Sequence, residues 1–153
     1  MKIVSTYGVK IKTYNHIFKE TIGIYRHAVD FLIGVCLEEW DVIKKIEQNL
    51  LRQQYVERLC HSTKKNPDVV YDLDEKFYKF PSFLRRATIN EAIGKVSSYK
   101  SNLANWEADD PKTRGRKPSF PKAGYIYPCM YRGNMYQRTG AYEAKIKVYV
   151  RNT

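Results

Sequence analysis

The chain has 153 residues, enough for one domain or for one domain with another inserted into it. Its formal net charge is +11, and 43% hydrophobic with 28% charged residues is an ordinary balance for a folded globular protein. No run approaches the ~20 apolar residues of a membrane span, and the opening MKIVSTYGVKIK lacks the long apolar stretch of a signal peptide. A soluble, cytoplasmic protein without a membrane partner is therefore expected.

The charge is segregated. Residues 1–110 hold 17 Lys/Arg against 15 Asp/Glu, whereas residues 111–153 hold 10 Lys/Arg against Glu143 alone. A near-neutral body is followed by a strongly basic last quarter, which would attract a polyanion at long range. The three cysteines, Cys36, Cys60 and Cys129, form no CxxC pair, so a zinc ribbon or a redox motif has no support. Their usage suits a reducing compartment.

In chain order, residues 2–12 alternate as a strand, with Ile3, Ser5, Tyr7, Val9 and Ile11 on one side and Lys10 and Lys12 on the wetter other. From about Thr13 the period lengthens. Ile17, Ile24, Ala28, Phe31, Leu32, Val35, Cys36, Trp40 and Ile43 predict a long helix, with Asn15 as its candidate N-cap and Gly23 and Gly34 as candidate close-packing points. Ile46, Leu50, Leu51, Tyr55 and Leu59 continue a helical pattern, and a turn or kink is expected between 38 and 47. Residues 61–80 read as a loop that turns at Asn66-Pro67-Asp68 and docks through Phe77, Tyr78 and Phe80. Ser82 is a candidate cap for the clearest helix, whose stripe runs through Leu84, Ala87, Ile89, Ala92, Ile93, Val96, Tyr99, Leu103 and Trp106. That helix ends before Asp109-Asp110-Pro111.

Residues 111–124, PKTRGRKPSFPKAG, read as an extended basic linker. Beyond it, Tyr125 to Tyr131 lead into a hairpin turn at Arg132-Gly133-Asn134, with Met135 to Gln137 returning. After a turn at Thr139-Gly140, residues 141–150 alternate. Tyr142, Ala144, Ile146, Val148 and Val150 face the core, and Glu143, Lys145, Lys147 and Tyr149 face away. One early strand and several late ones need each other. The expected fold is α+β, a β-barrel or curved sheet interrupted by an inserted helical domain: residues 1–12, then 13–110, then 111–153.

Catalytic chemistry finds little material. Carboxylates are scarce after Asp110, and Glu38, Glu39 and Asp41 read as a solvated helical face. No GxxxxGK[ST], GxSxG or HExxH occurs, and His16, His27 and His61 lack ligand spacing. No catalytic residue, metal site or cofactor is expected, and the chain by itself reads as a non-enzyme. Binding has better material. Lys112, Arg114, Arg116, Lys117 and Lys122 could meet successive phosphates, and Phe120 could stack on a base. In the strand region Tyr131, Arg132, Tyr136, Arg138, Lys145, Lys147 and Tyr149 interleave charge with rings, the pattern of single-strand and RNA-binding sheets, and Lys10 and Lys12 of the first strand join the expected nucleic-acid-binding residues.

The stretch FPSFLRRATINEAIGKVSSYKSNLANWE, followed by GRKPSFP and YRGNMYQ, resembles the N-terminal part of transposon-encoded TnpB-type proteins, relatives of type V CRISPR nucleases. The resemblance implies an oligonucleotide-binding-like wedge barrel interrupted by a helical recognition domain, and a role in holding guide RNA and target DNA. It also implies a following RuvC-like nuclease domain, which these residues do not contain. The expected function is thus nucleic-acid binding, DNA or RNA, by the non-catalytic front of such a protein. The alternative is a protein–protein interaction or regulatory protein of a mobile element or phage. The oligomeric state is not legible.

Overall fold

A computed structural model describes residues 16–131 and 133–149. The expected strand at 2–12, with Lys10 and Lys12, the Asn15 cap and Arg132 lie outside the described residues.

The architecture is mainly helical. In order it comprises α1 (Ile17–Glu38), α2 (Trp40–Ile43), α3 (Asn49–Cys60), α4 (Leu73–Lys76), α5 (Ser82–Ala108), β1 (Tyr136–Arg138) and β2 (Ala144–Ile146). The periodic segments form helices because their apolar residues recur at three- and four-residue intervals. α1 buries Thr21, Tyr25, Ala28, Leu32 and Val35, and α5 buries Leu84, Ala87, Ile89, Ala92 and Val96. These stripes face each other, and α1 against α5 is the dominant packing of the molecule. Truncating Leu32 or Ile89 to alanine would cost about 2–5 kcal/mol through lost transfer energy and a cavity.

The chain breaks after Glu38, within the expected interval, and α3 then lies across α5. The phase of α3 differs from its apolar count. Gln53, Val56 and Cys60 are buried, while Leu50 and Leu51 are exposed. The reason is polar pairing. Asn90 Nδ2 donates to Gln53 Oε1 at 2.9 Å, and Arg85 binds Glu57 Oε1 through Nε and Nη2 at 3.2 and 3.1 Å.

Glu38 and Glu39 are not simply solvated. The Tyr71 hydroxyl reaches Glu38 Oε2 and Glu39 Oε1 at 2.9 and 3.0 Å, and Tyr55 donates to Glu39 Oε2 at 2.8 Å. Both phenols are pushed up, by loss of solvent first and by these carboxylates next. The end of α1 is thereby tied to α3 and to the 61–80 loop. That loop docks through Phe77 and Phe80, with Phe77 edge-on to Phe31 at 6.1 Å, whereas Tyr78 is exposed. α5 begins at Ser82, but its preceding residue is Pro81, and no side chain caps it.

The expected barrel or curved sheet is not present. β1 and β2 form one two-stranded antiparallel sheet among the described residues, pairing Tyr136 with Ile146 and Arg138 with Ala144. Residues 125–131 are not a strand. The turn at Gly133 does form, with φ +81° and a Met135 N–H to Tyr131 carbonyl bond of 2.8 Å. Yet only its downstream arm enters a ladder. The upstream arm lies against the helices instead. The alternation of 141–150 also takes a different outcome, since Tyr142 is fully exposed and Tyr149 is buried. Tyr149 packs on Phe80 at 6.1 Å and its hydroxyl donates to the Tyr78 carbonyl at 3.1 Å. Its N–H donates to Thr21 Oγ1 at 3.2 Å, which fastens the late chain to α1. A wedge barrel interrupted by a recognition domain is therefore excluded as the description of these residues.

Two predictions follow from the core. Gly34 is exposed inside α1 with open space around the position of a Cβ, so it does not serve close packing. Gly34→Ala should stabilise the protein by about 0.5–1 kcal/mol in urea unfolding; destabilisation would show that the helix needs a glycine there. Cys36 and Cys60 are buried free thiols, each pushed up to about 12 from 9.0, mainly by burial. The unfolded chain loses these protons first as pH rises, so it binds fewer protons than the folded state in that window. Stability should fall from about pH 9 toward 12, and Cys36→Ala should flatten the slope. An unchanged slope would contradict the assignment.

Candidate binding surface

The basic segment after α5 is a strap laid over the helical pair. Pro111, Pro118, Pro121 and Pro128 remove amide donors and disfavour a ladder, and three of the remaining backbone groups pair with side chains of the helices. Three bonds fasten it. Trp106 Nε1 donates to the Gly115 carbonyl at 2.7 Å. The Ala123 N–H donates to Asp30 Oδ1 at 2.7 Å. Arg26 Nε donates to the Ile126 carbonyl at 2.9 Å. Ala123, a strap residue, is itself buried against the core.

Charge and rings meet along this path. The Arg114 guanidinium sits 3.7 Å from the Trp106 ring centroid, and Lys117 Nζ sits 5.7 Å from it. Phe120 stacks on Tyr99 of α5 at 5.4 Å. Arg26 lies 5.5 Å from the rings of both Tyr125 and Tyr127. A guanidinium flat on an aromatic face is attracted by the ring quadrupole and keeps its N–H edge free for an anion. Lys112 and Arg116 extend the exposed positive charge along the same segment.

The other expected residues scatter. Lys122 lines a cavity of about 630 Å³ between α5 and the strap, together with Glu91, Lys95, Cys129 and Tyr131. Tyr131 packs on Phe83 at 5.8 Å. Arg138 donates to the Gly140 and Ala141 carbonyls, both at 2.9 Å, and so braces the turn between β1 and β2. Tyr136 is partly exposed on β1. Lys145 and Lys147 are exposed on and beside β2, bordering a small cavity of about 240 Å³. Tyr149 does not join them, being buried on α1. Lys10, Lys12 and Arg132 lie outside the described residues. The structure therefore unites Arg114, Lys117 and Phe120 on α5, and separates them from the sheet.

Trp106, Tyr99, Arg26 and Asp30 complete the surface and were not singled out as binding residues. Tyr99 and Trp106 extend the helical stripe of α5 beyond its buried portion, and that overrun is their signal: something other than the core had to cover them. Arg26 and Asp30 carry no such mark. Among the described residues no group of three or more His, Cys, Asp or Glu is placed to hold a metal ion. Among them, too, no helix is long and apolar enough to cross a membrane.

Trp106 lies on the last turns of α5, past the residues that helix buries. Trp106→Ala should accelerate trypsin cleavage at Arg114 and Arg116 by tenfold or so while barely shifting the melting temperature. Unaltered cleavage would show that the indole does not hold the strap.

Comparison with known proteins bears on identity. A family model described as the Aq_aa04 family matches residues 5–150. A protein of Aquifex aeolicus (strain VF5), described as uncharacterized protein aq_aa04, is 28% identical over 134 residues, covering 85% of this chain and 69% of its own length. No solved structure matches. The resemblance to TnpB-type proteins is overturned, because the matching family is a different one and the described residues form no wedge barrel. With it go the expected guide-RNA and target-DNA binding, the wedge and recognition domains, and the transposable-element association. The chain belongs to the Aq_aa04 family.

Proposed function

We propose that the chain is a non-enzymatic binding module whose strap takes an acidic segment of a partner protein. The observation that carries this reading is the Arg114–Trp106 stack at 3.7 Å, with the indole N–H fixed on the Gly115 carbonyl. The cation is held before any partner arrives, so little side-chain entropy remains to be lost on binding. A guanidinium edge presented in this way suits a carboxylate bidentately.

The occupied face of Trp106 favours this partner over a stacked base. Trp106 already carries Arg114 on its face, and Phe120 already stacks on Tyr99. Platforms for bases need open aromatic faces. What the strap offers at Trp106 is spaced positive charge on a ring face already occupied, while Glu38, Glu39 and Glu57 of the body are engaged with other partners. The three cysteines, all free, support a cytoplasmic setting for this module.

The test is titration of the full chain with a short polyglutamate peptide, and in parallel with a single-stranded oligonucleotide of equal formal charge. The peptide should bind saturably and weaken with added salt. Arg114→Gln with Lys117→Gln should reduce its affinity by tenfold or so. Preference for the oligonucleotide, or indifference to the double variant, would overturn the reading.

A further inference from the structure

A second cationic site lies away from the strap, between α3 and the first turn of α5. It is a cavity of about 590 Å³ whose walls include Arg58, His61, Asn66, Arg85 and Arg86, and it shares no residue with the strap. Glu57 lies in the same wall. Its Oε1 accepts from Arg85 and its Oε2 from Arg86, at 3.1 and 3.3 Å. One carboxylate thus holds two guanidiniums. It fixes both and neutralises the charge of one.

Arg58 adds a third guanidinium, exposed and without a carboxylate partner among the described residues. Three arginines against Glu57 and, behind His61, Asp74 leave the cavity with a net positive charge. Arg85 brings its charge to a depth where only 6% of the residue is exposed. In so sheltered a position an anion interacts more strongly than it would in open water.

The remaining polar walls are braced from behind. His61 Nδ1 lies 2.8 and 3.0 Å from the two carboxylate oxygens of Asp74, which also accepts the Ser62 N–H at 3.0 Å. The ring is thereby oriented by Asp74 through one nitrogen, leaving the other uncommitted to that carboxylate. Thr63 and Asn66 exchange backbone hydrogen bonds at 2.9 and 3.0 Å, and Asn66 Nδ2 donates to the Arg58 carbonyl at 2.8 Å. These bonds make a rigid turn beside the arginines. Preorganised donors of this kind are what small anions require.

We infer that this cavity binds a phosphate group, either free phosphate or a phosphomonoester. The net positive charge attracts an anion. Guanidiniums approaching from two helices suit tetrahedral oxygens better than a single planar carboxylate. Exposed Leu51 at the rim offers an apolar shelf for an ester's organic part.

The experiment is calorimetric titration of the full chain with inorganic phosphate, and separately with phenyl phosphate, in phosphate-free buffer of constant ionic strength. Saturable one-to-one binding is expected. Arg58→Gln with Arg86→Gln should weaken it at least tenfold, and the strap variant Arg114→Gln should leave it unchanged. Arg58→Gln alone touches no hydrogen bond that holds the fold, so its several-fold loss remains readable if the double variant is unstable. Tighter binding of phenyl phosphate would identify an ester as the ligand, and equal binding would identify free phosphate. Absence of saturable binding, or equal affinity in wild type and in a folded Arg58→Gln variant, would overturn the inference.

Discussion

The structure depends on how the proline-rich chain after α5 satisfies its backbone. Between Pro111 and Pro128 four residues lack an amide donor, and a continuous ladder is denied. The groups that remain cannot stay unpaired where they are covered. They are met by side chains rather than by strands: Asp30 takes the Ala123 amide, while Arg26 and Trp106 donate to carbonyls. The helical pair thereby becomes a scaffold on which a basic segment is spread. The last quarter of the chain acquires a shape without acquiring a sheet.

The same bonds explain why the positive charge has an order. A free basic linker would be a diffuse cloud, whereas here Arg114 is seated on Trp106, and Arg26 lies beside Tyr125 and Tyr127. Glutamates do the corresponding work elsewhere. Glu39 receives Tyr55 and Tyr71 at the end of α1, and Glu57 receives two arginines between α3 and α5. Glu39 and Glu57 act as fasteners between elements. The cations of the strap are therefore set apart, since among the described residues no carboxylate comparably claims Arg114 or Lys117.

Much of the helical body is legible in the sequence. The stripes of α1 and α5, the break after Glu38 and the docking of Phe77 and Phe80 follow from periodicity and from breakers. Tyr25 is less visible, because a phenol counts as half polar, yet it is fully buried. The phase of α3 is hidden because Gln53 and Glu57 set it through side-chain pairing, which hydropathy cannot see. The barrel expectation arose from real alternation in 141–150, but alternation specifies only local extension. It does not say whether a partner strand exists, and Tyr149 turned inward to meet Thr21 and Phe80. In the binding surface, the cations were visible in sequence, whereas Asp30 and Arg26, which position their backbone, were not.

The central claim is that the strap is clamped by helix side chains, independently of the core beneath it. Hydrogen–deuterium exchange of wild type and Asp30→Ala tests it most directly. The account predicts that the Ala123 amide is protected in wild type, and that Asp30→Ala raises exchange across residues 121–128 while leaving α1 and α5 protected. Equal exchange of residues 121–128 in the two proteins, or a uniform loss of protection that includes α5, would contradict it.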